Sequence, residues 1–137
     1  MRRLAISSAL LVLATSLVVA GHRNAPEAFP AFFARFVQDS AFRVSRIKFP
    51  LHAILGDPSD PRIKETWSPS ELDAKFTVPV ANDRLEAEGL EQVISAPSES
   101  AVEVKQSQPA SDSYILMYRF KQRQGQWFLV EFENGSY

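Results

Sequence analysis

Histidine is scarce in this sequence, and its chemistry sets the first question. There are two in 137 residues: His22 near the start, and His52 within the apolar run from Leu51 to Leu55. Gly56-Asp57-Pro58-Ser59-Asp60-Pro61 follows. An imidazole facing Asp57 or Asp60 across that turn has the residue types of a general base. Such a base also needs an orienting partner and a substrate proton within hydrogen-bond reach, and the spacing specifies neither. A lone histidine beside a loop is ordinarily structural or solvated. Read as calcium ligands, the two aspartates fail, because a calcium loop alternates its oxygen donors and closes on a bidentate glutamate. Pro58 and Pro61 interrupt that alternation and Glu65 is out of register. Asp-Pro pairs are turn chemistry.

Two other sets invite a binding role. Tyr114 and Tyr118, two strand steps apart on one face, could line a small-ligand pocket with Trp67 and His52. Inward aromatics equally serve as core, because each buries so much area. The second set is acidic, with Glu86, Glu88 and Glu91 at its centre and Asp83, Glu99 and Glu103 beside it. Charge complementarity on such a face would steer a basic protein partner. A solvated face is the plainer explanation.

Several chemistries are excluded outright. Without cysteine there is no thiol nucleophile, disulfide or thiolate metal site. No Gly-x-Ser-x-Gly elbow is present. The five glycines are isolated, so no phosphate-cradling loop forms. No motif requires a cofactor or a metal. A formal charge of -1 without a basic run argues against a nucleic-acid partner.

The first residues read as an export signal. Arg2 and Arg3 precede an uncharged run from Leu4 to Ala20, and Val18-Val19-Ala20 offers small residues for a cut after Ala20 or Gly21. That is the three-part pattern of a secretory signal peptide. As a retained anchor the run is short, since a spanning helix wants about 20 apolar residues, and Ser7, Ser8, Thr15 and Ser16 dilute it. The expectation is a bacterial periplasmic or secreted protein, touching a membrane only if residues 1–21 stay uncleaved. Their removal takes two arginines and no acid, leaving 13 basic against 16 acidic residues and all fifteen aromatics.

The rest must supply elements that position these side chains. Residues 22–28 form a polar, flexible lead-in, and 29–137 a single domain. Phe29, Phe32, Phe33 and Phe36 repeat at helical spacing, which predicts a helix over Pro30–Asp39 with one aromatic face. A flat sheet is the natural partner for that face. Alternation from Phe42 to Lys48 predicts a short strand closed by Phe49-Pro50-Leu51, and another strand is expected over Ile63–Trp67. Ser68-Pro69-Ser70-Glu71-Leu72 reads as the start of a short helix capped by Ser68 or Ser70, Phe76–Val80 is extended, and Leu85–Ser95 fits no single pattern. Ala101–Lys105 alternates. Tyr114–Lys121 and Trp127–Phe132, joined by Gln124-Gly125-Gln126, predict a hairpin. The class is α+β: a curved antiparallel sheet packed by an N-terminal Phe-faced helix.

The Phe29–Phe36 pattern, Asp39, Phe42, the stretch Ser45-Arg46-Ile47-Lys48-Phe49-Pro50-Leu51 and Trp127 together resemble an uncharacterised family of small secreted bacterial proteins, a domain of unknown function with a nuclear-transport-factor-2-like fold. The resemblance implies a cone-like, cystatin-like architecture over nearly the whole mature chain and carries no catalytic residues. Cones of this kind often hold a pocket between helix and sheet, and they frequently dimerise through the exposed sheet face. Three functions follow as expectations: a periplasmic binding or interaction module without catalysis, an immunity or inhibitor protein that neutralises a toxin or hydrolase, or an isomerase- or hydrolase-like enzyme using the cone.

Overall fold

The computed structural model describes residues 25–56, 63–111 and 113–136. The expected export segment, His22, Asp57 and Asp60 lie outside these residues. Helix α1 spans Phe29–Gln38, with Pro30 in its first turn, where a missing N–H is harmless. Asp39 ends α1 and begins α2, Ser40–Ser45, by accepting the Phe42 N–H at 3.0 Å. Six strands follow: β1 Ile47–Leu55, β2 Ile63–Trp67, β3 Glu91–Ser98, β4 Ala101–Ser107, β5 Ile115–Arg123 and β6 Gln126–Asn134. Between β2 and β3 lie a 3-10 turn at Pro69–Glu71, helix α3 at Leu72–Lys75 and a second 3-10 turn at Asn82–Arg84.

The strands form one curved sheet in the order β2-β1-β6-β5-β4-β3. Its pairs are antiparallel except β1 and β6, which run parallel. That exception closes the fold, since it sets the first strand beside the last. Successive side chains on a strand point to opposite faces, so one set meets α1 and the other looks outward. Leu116, Tyr118 and Phe120 of β5, Val102 and Val104 of β4, and Trp127, Leu129 and Phe132 of β6 are buried on the covered face. All four phenylalanines of the α1 stripe are buried against them.

One segment differs from the expected pattern. Residues 42–45 belong to α2, and β1 starts only at Ile47. Four alternating residues are too few to outweigh a capped helical turn. The turn also serves α1: Arg43 donates to the Phe36 and Val37 carbonyls, both at 2.9 Å, which the end of α1 leaves without helical partners. Nor does Pro50 close the strand. β1 runs through a cis Phe49–Pro50 peptide, and its pairing with β6 skips from Ile47 to His52.

The end of the lead-in is fastened. The Glu27 carboxylate accepts two bonds from the Arg46 guanidinium, each 2.7 Å, and one from the Trp127 backbone N–H at 3.1 Å. Its own backbone joins the β5–β6 hairpin, donating to the Gly125 carbonyl and accepting from the Trp127 indole, both at 2.9 Å. The Arg46 guanidinium holds the Glu27 carboxyl below the usual carboxylate range, with the Trp127 N–H adding to the effect and partial burial opposing it. The stability it contributes is therefore complete above the unfolded carboxyl's range, about pH 4.3, and disappears as pH falls through the depressed folded value. Glu27→Gln should cost about 2 kcal/mol at pH 7 and little at pH 2, measured by urea unfolding at both pH values.

Candidate functional site

The centre of the interior where a cone would hold its ligand is filled by aromatic rings, and clefts of about 200 and 380 Å³ remain at its margin, between the end of α1 and residues 78–88. Phe120 lies at the centre, with its ring centroid 5.3 to 5.9 Å from those of Phe29, Phe32, Phe33 and Phe36. At the β1 and β2 side, Trp67, Phe76, Tyr118 and Phe132 form a second aromatic group around Phe132. Among the described residues, no buried side-chain nitrogen or oxygen lacks a hydrogen-bond partner. A buried group that serves a ligand would stand without one here.

The four residues expected to line one pocket do not come together. Trp67 and Tyr118 are buried in that aromatic core. The Tyr118 hydroxyl donates to the Thr77 carbonyl at 2.7 Å, and burial, with Tyr114 nearby, holds it protonated far above a phenol's usual range. Tyr114 is half-buried at the core's margin. Burial, and to a lesser degree the charge of Glu88, raise its pKa. His52 is exposed on the opposite side of β1 from Leu51 and Ala53, away from the aromatic core. Of the acidic set, Glu86, Glu88 and Glu91 are all exposed, and Glu88 pairs with Arg84 at 2.8 Å.

A large cavity lies on the uncovered face of the sheet. Its volume is about 430 Å³, and it is edged by Lys48 and His52 of β1, Val130 and Glu131 of β6, Arg119, Lys121 and Arg123 of β5, Glu103 of β4 and Pro97 of β3. Strand register explains this gathering. His52 stands opposite Glu131, Glu131 opposite Arg119, and Arg119 opposite Glu103, so one cross-strand row carries four polar groups. Arg119 bridges the row's acids, bonding Glu103 at 3.3 Å, Glu133 at 2.9 Å and Glu131 at closer range. These acids hold the guanidinium charged, raising its pKa against the effect of burial. An irregularity in the β5–β6 register between Arg119 and Phe120 inserts Val130, which joins Glu131 at the cavity edge.

Sequence spacing carried part of this site. The alternation of β5 already places Arg119 and Lys121 opposite the tyrosine face. What it lacked was the parallel β1–β6 pair, which brings Lys48 and His52 to the same opening. Residues separated by about seventy positions give no local periodic signal.

Solved structures share this architecture. A nuclear-transport-factor-2-like protein from Bacteroides fragilis superposes with a TM-score of 0.63 at 23% identity, covering 83% of this chain and 49% of that one. A cystatin-like protein from Bacteroides caccae superposes with a TM-score of 0.56 at 20% identity, covering 82% of this chain and 78% of its own. The chain thus spans about half the length of the first of these. Such identities establish a nuclear-transport-factor-2-like, cystatin-like fold, and fold alone does not define a function. The sequence matches no family model and no curated protein.

Proposed function

We propose that this chain is an exported periplasmic binding module that acts without catalysis and takes its ligand on the open face of the sheet. The observation that carries this reading is the contrast between the two faces. The centre of the covered face is packed with aromatic rings, and no fully buried polar side-chain atom there lacks a partner among the described residues. The open face has a cavity of about 430 Å³ edged by charged side chains, within the usual size range of small-ligand sites. The export pattern of residues 1–21 supports the compartment. The enzyme alternative would require an acid or base in the cone, where Tyr118 is committed to Thr77.

Export and binding are tested together by recovering the chain from a periplasmic fraction and weighing it intact by native mass spectrometry. The expected result is a processed chain with a retained small molecule. Val130→Trp, which fills the cavity from its edge, should release that molecule while leaving the melting temperature nearly unchanged. A ligand retained unchanged by that variant, or a chain found only in the cytoplasm, contradicts the reading. Turnover that vanishes in His52→Ala would contradict the absence of catalysis.

A further inference from the structure

The open-face cavity is electrically uneven. Its edge holds four cationic side chains, Lys48, Arg119, Lys121 and Arg123, against two carboxylates, Glu103 and Glu131, in a chain whose formal charge is -1. Arg119 is committed to both carboxylates and to Glu133. Lys48, Lys121 and Arg123 have no ion-pair partner among the described residues.

These three cations sit towards the hairpin end. Lys121 pairs across from Phe128 and Arg123 across from Gln126, while Lys48 follows Ile47, the partner of Leu129. A second cavity of about 200 Å³ opens there, edged by Ile47, Lys48, Arg123 and Phe128. Lys48 and Arg123 therefore border both openings, one charged and one apolar. An anion in the first would be drawn to the free cations. An apolar group attached to it would reach the second, where Ile47 is buried and Phe128 half-buried.

Resting on the open-face reading above, the geometry points to an organic anion with an apolar arm as the ligand class. Its carboxylate or phosphate sits among Lys48, Lys121 and Arg123, and its arm lies over Phe128. Carboxylate and phosphate share the required chemistry, an anionic head whose charged oxygens accept from guanidinium and ammonium donors. The cations are solvent-exposed, so affinity falls with salt as the screening length shrinks from about 10 Å at 0.1 M to about 3 Å at 1 M.

Isothermal titration of the exported chain with four probes tests this. 4-Phenylbutyrate should bind at least tenfold more tightly than 4-phenylbutylamine, which has the same arm and the opposite charge. Inorganic phosphate, lacking the arm, should bind more weakly than 4-phenylbutyrate. The double variant Lys48→Glu/Lys121→Glu should lower 4-phenylbutyrate affinity at least tenfold without lowering the melting temperature. Equal binding of the amine, or affinity unmoved by the double variant, overturns the assignment. So does association with phosphatidylglycerol vesicles alone, which would make the cations a membrane contact. If a periplasmic ligand is released by Val130→Trp but ignores the double variant, the anionic class fails and the open-face reading stands. Retention in both variants removes both.

Discussion

Phe120→Ala should lower the unfolding free energy by about 4 kcal/mol. Phe120 is 1% exposed and its ring meets all four phenylalanines of α1. Truncation removes the transfer free energy of a buried benzyl group and leaves a cavity between helix and sheet that stiff neighbours fill poorly. It also removes four ring–ring contacts, three of them with edge-to-face geometry near 80° or above, which adds to the loss beyond buried area. Urea unfolding would show a lower midpoint at an unchanged slope. Phe120→Leu, which keeps most of the volume, should cost about 1 to 2 kcal/mol. A loss below about 1.5 kcal/mol for the alanine variant would mean that α1 slides into the gap and that its docking is not set by this ring.

The second large effect concerns Gln106, a buried polar residue of β4 that is 0% exposed. Its amide completes the pairing of a segment outside the sheet. The Val80 N–H donates to Gln106 Oε1 at 2.9 Å, and Gln106 Nε2 donates to the Val80 carbonyl and to Gln92 Oε1, both at 2.8 Å. A side-chain amide thus acts as a one-residue strand, fastening the extended chain after α3 to the sheet. Gln106→Leu keeps the bulk and strands the Val80 N–H and carbonyl, at a cost of about 3 kcal/mol. Gln106→Glu isolates the donor. An ionised carboxylate still accepts from Val80 but can give nothing to its carbonyl, so this variant should be least stable at neutral pH and recover towards acid as the carboxyl gains a proton. Hydrogen exchange at the Val80 amide should accelerate in the leucine variant. Unchanged exchange there would show that the segment is held by other contacts.

The sequence made the covered face legible because its signals are local. The helical repeat of Phe29 to Phe36 and the two-residue alternation of β4 and β5 each mark a buried side within one element. The hairpin at Gln124-Gly125 was equally readable from its glycine, which takes a φ of 76° without strain, while Gln124 beside it adopts 51°. Where competing local signals met, at residues 42–45, the capped turn of α2 prevailed over a weak alternation. Glu27 shows a different limit. Its polar neighbours resemble a loose lead-in, and only the fold reveals that Arg46 and Trp127 hold it.

The candidate site was less legible for the same physical reason. His52 and Tyr118 both border β6, yet strand pleating sends one outward and the other into the core. Periodicity within a strand shows that two faces exist. It does not show which face of one strand continues which face of another. That relation is set by register, and here by a parallel pair between the first and last strands.

Two tryptophans offer built-in reporters of where a ligand sits. Both are buried on the covered side, 1% exposed for Trp67 and 4% for Trp127. Their indole N–H groups are held by Glu65 at 2.7 Å and by the Glu27 carbonyl at 2.9 Å. The most direct measurement compares ¹H–¹⁵N spectra of the nitrogen-15-labelled chain with any co-purifying small molecule retained and after that molecule has been stripped. An open-face site predicts shifts at the backbone amides of Lys48, His52, Lys121, Arg123 and Val130, with both indole signals unmoved. Shifts centred on the two indoles and on Tyr118, with the open-face amides silent, would place the ligand in the cone and contradict the reading.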